Sequence, residues 1–75
     1  MKKLLMVVEP KDVTFSKQQL EKNAVLFNEH MLKKFSSNII PLLNSVSSEW
    51  VRVSDDYLTD DINKKNFNYY FKALE

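Results

Sequence analysis

The stretch Phe15–Phe35, FSKQQLEKNAVLFNEHMLKKF, decides how the fold is read. Ser16 followed by Gln19 has the form of a capping box, in which each side chain satisfies an orphan backbone donor. Phe15 and Leu20 stand at the two positions of a hydrophobic staple around that cap. A helix is therefore predicted to begin at Lys17. Leu20, Ala24, Phe27, Met31 and Phe35 follow at helical spacing as one continuous stripe. Val25 and Leu32 widen the stripe to an arc of about 160° on a helical wheel. Such an arc predicts a long, central helix with more than one element packed on it. Leu26 falls alone in the polar arc, where it either is a single exposed leucine or extends an oligomeric contact.

Downstream, Ile39, Leu42, Val46 and Trp50 continue at helical spacing, but Ser36-Ser37-Asn38 are poor interior residues and Pro41 interrupts. The expectation is a break near 36–38 and a second helix over about 39–48, with one kinked helix as the runner-up. Trp50-Val51-Arg52-Val53 reads as a short strand that pairs with residues 3–8. Thr59-Asp60-Asp61 reads as an N-cap followed by acids that complement the helix dipole. A final amphipathic helix over about 60–74 would put Phe67, Tyr70, Phe71 and Leu74 on one face and Lys64, Lys65, Asn68 and Lys72 on the other.

Upstream, residues 3–8 form an apolar run: Leu4, Met6 and Val8 on one face, Leu5 and Val7 on the other. A strand apolar on both faces needs cover on both sides. Glu9-Pro10-Lys11-Asp12 is turn chemistry, and Val13 and Phe15 alternate as the return strand of a hairpin would. The start, Met1-Lys2-Lys3 with a short apolar run, imitates a secretory signal, but Glu9-Pro10 ends the run before it reaches the length of a signal core. No stretch approaches the ~20 apolar residues of a membrane span, so a cytoplasmic protein is expected.

The chain has 75 residues, 44% of them hydrophobic, which suits one small domain over 1–75 with an aromatic-rich core. There is no cysteine to form a disulfide, and His30 is the only imidazole, so neither a disulfide nor a zinc staple is expected. A dense core or self-association remains as the means of stabilisation. The absence of glycine argues against phosphate-cradling loops of the P-loop and Rossmann kinds, and with them against nucleotide cofactors. The net charge of +1 announces neither a nucleic-acid binder nor a mimic of one. Charge is nonetheless uneven, with seven lysines against four acids in 1–37, and four basic residues against six acids in 38–75.

No catalytic constellation stands out. His30 falls on the polar side of the predicted long helix, with no partner to orient it as a base. Ser16, Ser36, Ser37, Ser47 and Ser48 occupy cap-like or linker positions with local structural uses. Asp55-Asp56-Tyr57-Leu58-Thr59-Asp60-Asp61 concentrates four carboxylates, but it matches no calcium loop and lacks the turning glycine, so a capped helix start accounts for it. Lys64-Lys65-Asn66-Phe67-Asn68-Tyr69-Tyr70-Phe71-Lys72 interleaves basic and aromatic residues in the manner of single-strand binders. On a helix the aromatics would turn to the core and the lysines to water. Tyr69 is the exception, projecting toward the lysine side. Trp50 and Arg52 are residue types enriched at interface hot spots.

These observations predict a helix-dominated α+β fold: an N-terminal strand or hairpin, a long helix broken near Pro41, a short strand and a C-terminal amphipathic helix. An all-α bundle is the alternative. The predicted function is a non-enzymatic protein-binding module, self-associating, with Trp50, Arg52, Lys64, Lys65, Tyr69 and Lys72 as the partner-binding residues. It would need no cofactor or metal. The composition, rich in Lys, Asn, Ile, Phe and Tyr, suggests an AT-rich genome and an accessory protein of a bacterial virus or mobile element. The alternative function is nucleic-acid binding through Lys64, Lys65, Lys72 and Tyr69.

Overall fold

The computed structural model describes residues 3–74, and everything below concerns those residues. Strand β1 (Lys3–Pro10) leads to helix α1 (Lys17–Lys22), the two-residue strand β2 (Val25–Leu26) and a 3₁₀ helix over Glu29–Lys34. Helix α2 (Ile39–Ser45) and strand β3 (Val51–Val53) follow, then a 3₁₀ turn at Asp55–Tyr57, helix α3 (Asp61–Asn66) and strand β4 (Phe67–Leu74). The strands form one antiparallel sheet in the order β2-β1-β4-β3.

β1 and β4 pair along their whole length, from Lys3 opposite Leu74 to Pro10 opposite Phe67, and make the centre of the sheet. One face carries Leu4 and Met6 of β1, Tyr69, Phe71 and Ala73 of β4, and Val53 of β3. Phe35, Ile39, Leu43, Val46 and Leu58 cover this face and complete the core. Phe71 is fully buried at its centre, meeting Phe27 edge-on at 5.1 Å between ring centroids and Phe35 at 5.6 Å. On the other face, Val7 is fully buried beneath the segment that follows β1, where Leu20 is also buried. The expectation that β1 needs cover on both faces is therefore met within the chain.

The sequence and structure differ most in the two segments predicted as long helices. The fold is not helix-dominated and not an all-α bundle: helix takes 39% and strand 32%. α1 begins at Lys17 with the predicted capping box, Gln19 N–H donating to Ser16 Oγ at 3.3 Å and Ser16 N–H to Gln19 Oε1 at 2.9 Å. It stops at Lys22, where Asn23 caps it by donating its side-chain amide to Gln19 O at 2.8 Å. Val25 and Leu26 then extend along the outer edge of β1, and Phe27 N–H donates to Leu4 O at 2.9 Å. Pairing to an edge that would otherwise lack ladder partners outweighs the helical stripe.

The second reversal is at the C-terminus. The predicted helix over 60–74 lasts only through Asn66, and β4 follows with no intervening loop. Phe67, Tyr70, Phe71 and Leu74 satisfy helical spacing, but Phe67, Tyr69, Phe71 and Ala73 satisfy strand alternation equally well, and aromatic residues favour strands. β1 is a long apolar strand, and β4 is the partner that matches its length. As a consequence β3 pairs with β4, not with β1.

Smaller corrections follow. β1 runs through Glu9-Pro10, so Pro10 opens the turn closed by Val13 N–H to Pro10 O at 3.0 Å, and residues 12–15 form no return strand. The N-cap of α3 is Asp60, whose carboxylate accepts from Ile62 N–H at 2.8 Å, one residue later than predicted. The break near 36–38 is present: Ser36 N–H donates to Tyr57 O at 2.7 Å, and Phe35 bridges to Leu58. Pro41 sits in the first turn of α2, where its missing N–H leaves no helical bond unmade, so a single kinked helix is ruled out.

Candidate interaction surfaces

Three of the predicted partner-binding residues converge. Trp50, Arg52 and Lys72 have the same parity in the ladder of β3 and β4 and lie on the α1-covered face of the sheet. They are engaged there within the chain. Glu21 of α1 accepts from the Trp50 indole N–H at 2.7 Å and from Lys72 Nζ at 2.6 Å. Lys72 Nζ also lies 5.5 Å from the centre of the Trp50 ring. Those donors hold the Glu21 carboxyl below its usual pKa, the Lys72 hydrogen bond first and the Trp50 indole second. Glu21, Trp50 and Lys72 thus clip α1 to the sheet.

Arg52 belongs to a second network. Its guanidinium donates to Asn68 Oδ1 at 2.9 Å and stands 3.6 Å from Asp55. Lys11 reaches both the same Asn68 oxygen, at 3.1 Å, and Asp55, at 2.8 Å. Asn68 turns its amide nitrogen to Glu9 Oε1 at 2.9 Å, where the Tyr70 hydroxyl donates at 3.2 Å. The other Glu9 oxygen accepts from Phe15 N–H at 2.8 Å. Glu9 is only 2% exposed, and burial works against its ionisation. The Phe15, Asn68 and Tyr70 donors, with the charge of Arg52, outweigh that cost and hold its carboxyl below the usual value. Tyr70 shifts the other way: burial first, then the neighbouring Glu9 charge, raise its hydroxyl pKa.

The remaining predicted residues lie elsewhere. Tyr69 does not project toward the lysines; it is 2% exposed in the core, edge-on to Phe35 at 5.3 Å. Burial, then the Asp60 charge, raise its hydroxyl pKa. Lys64 and Lys65 sit on α3, Lys64 lying 4.0 Å from Asp61 and Lys65 exposed. The four acids of 55–61 divide among separate positions, Asp55 on Lys11 and Asp60 capping α3. Among the described residues no group of three or more His, Cys, Asp or Glu side chains is placed to hold a metal ion. His30 is exposed on the 3₁₀ helix. No helix among the described residues is long and apolar enough to cross a membrane.

The surface that sequence reasoning missed is on the core face at the β2 side of the sheet. A half-open cavity of about 290 Å³ is lined by Leu4, Phe27, Leu32, Ile40 and Leu43, with Asn28, Glu29 and Asn44 completing its wall. Ile40, at 43% exposed, stands beside it, and the adjoining β2 leaves Val25 48% and Leu26 58% exposed. The helical reading sent Phe27 and Leu32 into the core stripe and so hid this cavity. The one available signal was the density of apolar residues in Ala24–Phe27, which exceeds what one helix face takes up. Comparison with protein families, with curated proteins and with solved structures finds no match to this chain.

Proposed function

We propose that the chain is a non-enzymatic protein-binding module, of the inhibitor, adaptor or regulatory kind, whose partner seats an apolar side chain in the cavity between Phe27 and Ile40. The observation that carries this reading is the cavity itself: about 290 Å³, walled by five apolar side chains together with Asn28, Glu29 and Asn44. A mostly apolar wall with a few polar groups suits a pocket filled by a hot-spot side chain. Trp50 and Arg52, the hot-spot types expected from sequence, have intramolecular partners and serve the reading less well. A cysteine-free composition suits work in a reducing cytoplasm, and the Lys-, Asn- and Phe-rich, glycine-free make-up suits an accessory protein of a virus or mobile element.

Nucleic-acid binding is the weaker reading. With Tyr69 in the core and Lys72 held by Glu21, the lysines of α3 lack an exposed aromatic beside them on which a base could stack. Affinity capture from the native host tests both, comparing the unmodified chain with Ile40→Glu under nuclease treatment. The reading expects a protein retained after nuclease and lost with Ile40→Glu. Recovery of nucleic acid alone, or of no protein, overturns it.

A further inference from the structure

The two outer strands of the sheet end it differently. β3 carries Arg52, a charged side chain of the sort that blunts an edge against further pairing. β2 has no charge, proline or bulge: both of its residues are apolar and about half exposed. Its backbone is also open. Leu4 and Phe27 are a hydrogen-bonded pair, and Leu26 stands opposite Leu5 one step along. In an antiparallel ladder bonded and non-bonded pairs alternate, so Leu26 directs its N–H and C=O away from β1, toward solvent.

We propose that a second copy of this chain adds to that edge, antiparallel, about a two-fold axis at Leu26. The stretch between the cap residue Asn23 and the 3₁₀ helix at Glu29 is Ala24–Asn28, and Leu26 is its midpoint. Two-fold pairing there lets the two Leu26 residues exchange both hydrogen bonds. It sets Val25 against Phe27 of the other copy, twice, on the core face, and Leu26 against Leu26 on the opposite face. Charge fits the same arrangement. Lys22 ends α1 at one end of the stretch and Glu29 begins the 3₁₀ helix at the other. Neither has an ion-pair partner among the described residues. Antiparallel pairing brings Lys22 of each copy toward Glu29 of the other, whereas parallel pairing would oppose like charges. The contact shares Phe27 and Glu29 with the wall of the cavity proposed for a different protein, but it uses the strand edge, and Lys22→Glu and Ile40→Glu separate the two.

Sedimentation equilibrium from about 5 to about 500 µM tests it, because mass action must reveal a dimer as concentration rises. The expected result is a reversible dimer whose Leu26 amide exchanges with solvent more slowly as concentration rises. Lys22→Glu should weaken the dimer roughly three- to tenfold through two lost surface pairs. Adding Glu29→Lys to that variant should restore it. Both positions are exposed, so the pair of variants reads the contact without risking the fold. A monomer throughout the concentration range overturns the proposal. So does a dimer that ignores both charge variants, or one that Ile40→Glu dissociates while Lys22→Glu does not.

Discussion

Lys72 places its ammonium 5.5 Å from the centre of the Trp50 ring while gripping Glu21 on the helix above. The contact joins β4, the start of β3 and α1 in one place. Trp50 is the chain's single tryptophan, so its fluorescence reports on this clip alone. Glu21→Ala should raise acrylamide quenching of Trp50 and red-shift its emission, with the sheet intact by circular dichroism. Unchanged emission would mean that Glu21 does not hold the indole.

Asn68 is oriented by charge on both sides, its oxygen toward Lys11 and Arg52 and its nitrogen toward Glu9. Asn68→Asp replaces the donor facing Glu9 with a second carboxylate. The expected cost is about 1–3 kcal/mol at neutral pH in urea unfolding. The penalty should shrink in acid, where one of the two carboxylates takes a proton.

Glu9 sets a further pH dependence. Its pKa lies below the ordinary value of 4.5 in the folded chain, so between the folded and unfolded values the unfolded chain binds more protons. Its contribution is therefore fully present above 4.5 and is lost as pH falls through the depressed folded value. Melting temperature followed into acid should fall along this limb in the unmodified chain. It should fall less steeply in Glu9→Gln, which starts lower because an amide cannot accept from Phe15, Asn68 and Tyr70 together. Parallel limbs in the two proteins would remove Glu9 from the account.

The strand assignment of 67–74 separates two tyrosines. On a helix Tyr70 would lie beside Phe71 and Tyr69 would face solvent; in the sheet Tyr69 shares the core face and Tyr70 the other. Tyr69→Ala should cost about 3–5 kcal/mol, as truncation of a buried aromatic does. Tyr70→Phe should cost less, about 1.5–3 kcal/mol, the worth of one hydrogen bond to a carboxylate such as Glu9. The reverse ranking in chemical denaturation would count against the burial of Tyr69 on the core face.

Local signals were legible in the sequence where a few neighbouring residues decide the structure. The capping box at Ser16, the apolar strand at 3–8, the break before Ile39 and the short strand at 51–53 all needed only local chemistry. What failed was the reach of each helix. Residues 20–35 and 67–74 satisfy helical spacing and also supply what a strand needs, and the choice rests on β1, which lies far away in sequence. The candidate surfaces inherit that error. Trp50, Arg52 and Lys72 were recognised by type, but their partner Glu21 becomes visible only once α1 is laid over the sheet. The cavity lined by Phe27 and Ile40 exists only because the helix stops at Lys22.

The zipper between the first and last strands has a consequence for how the molecule is made. As the chain emerges during synthesis, β1 waits without its main partner, and β3 has nothing to join, until Phe67–Leu74 arrives. Closing so large a loop first is entropically costly, which favours slow, all-or-none assembly over stepwise growth. A nascent chain halted before Phe67 would expose Leu4, Met6 and Val7 and be a substrate for chaperones and proteases.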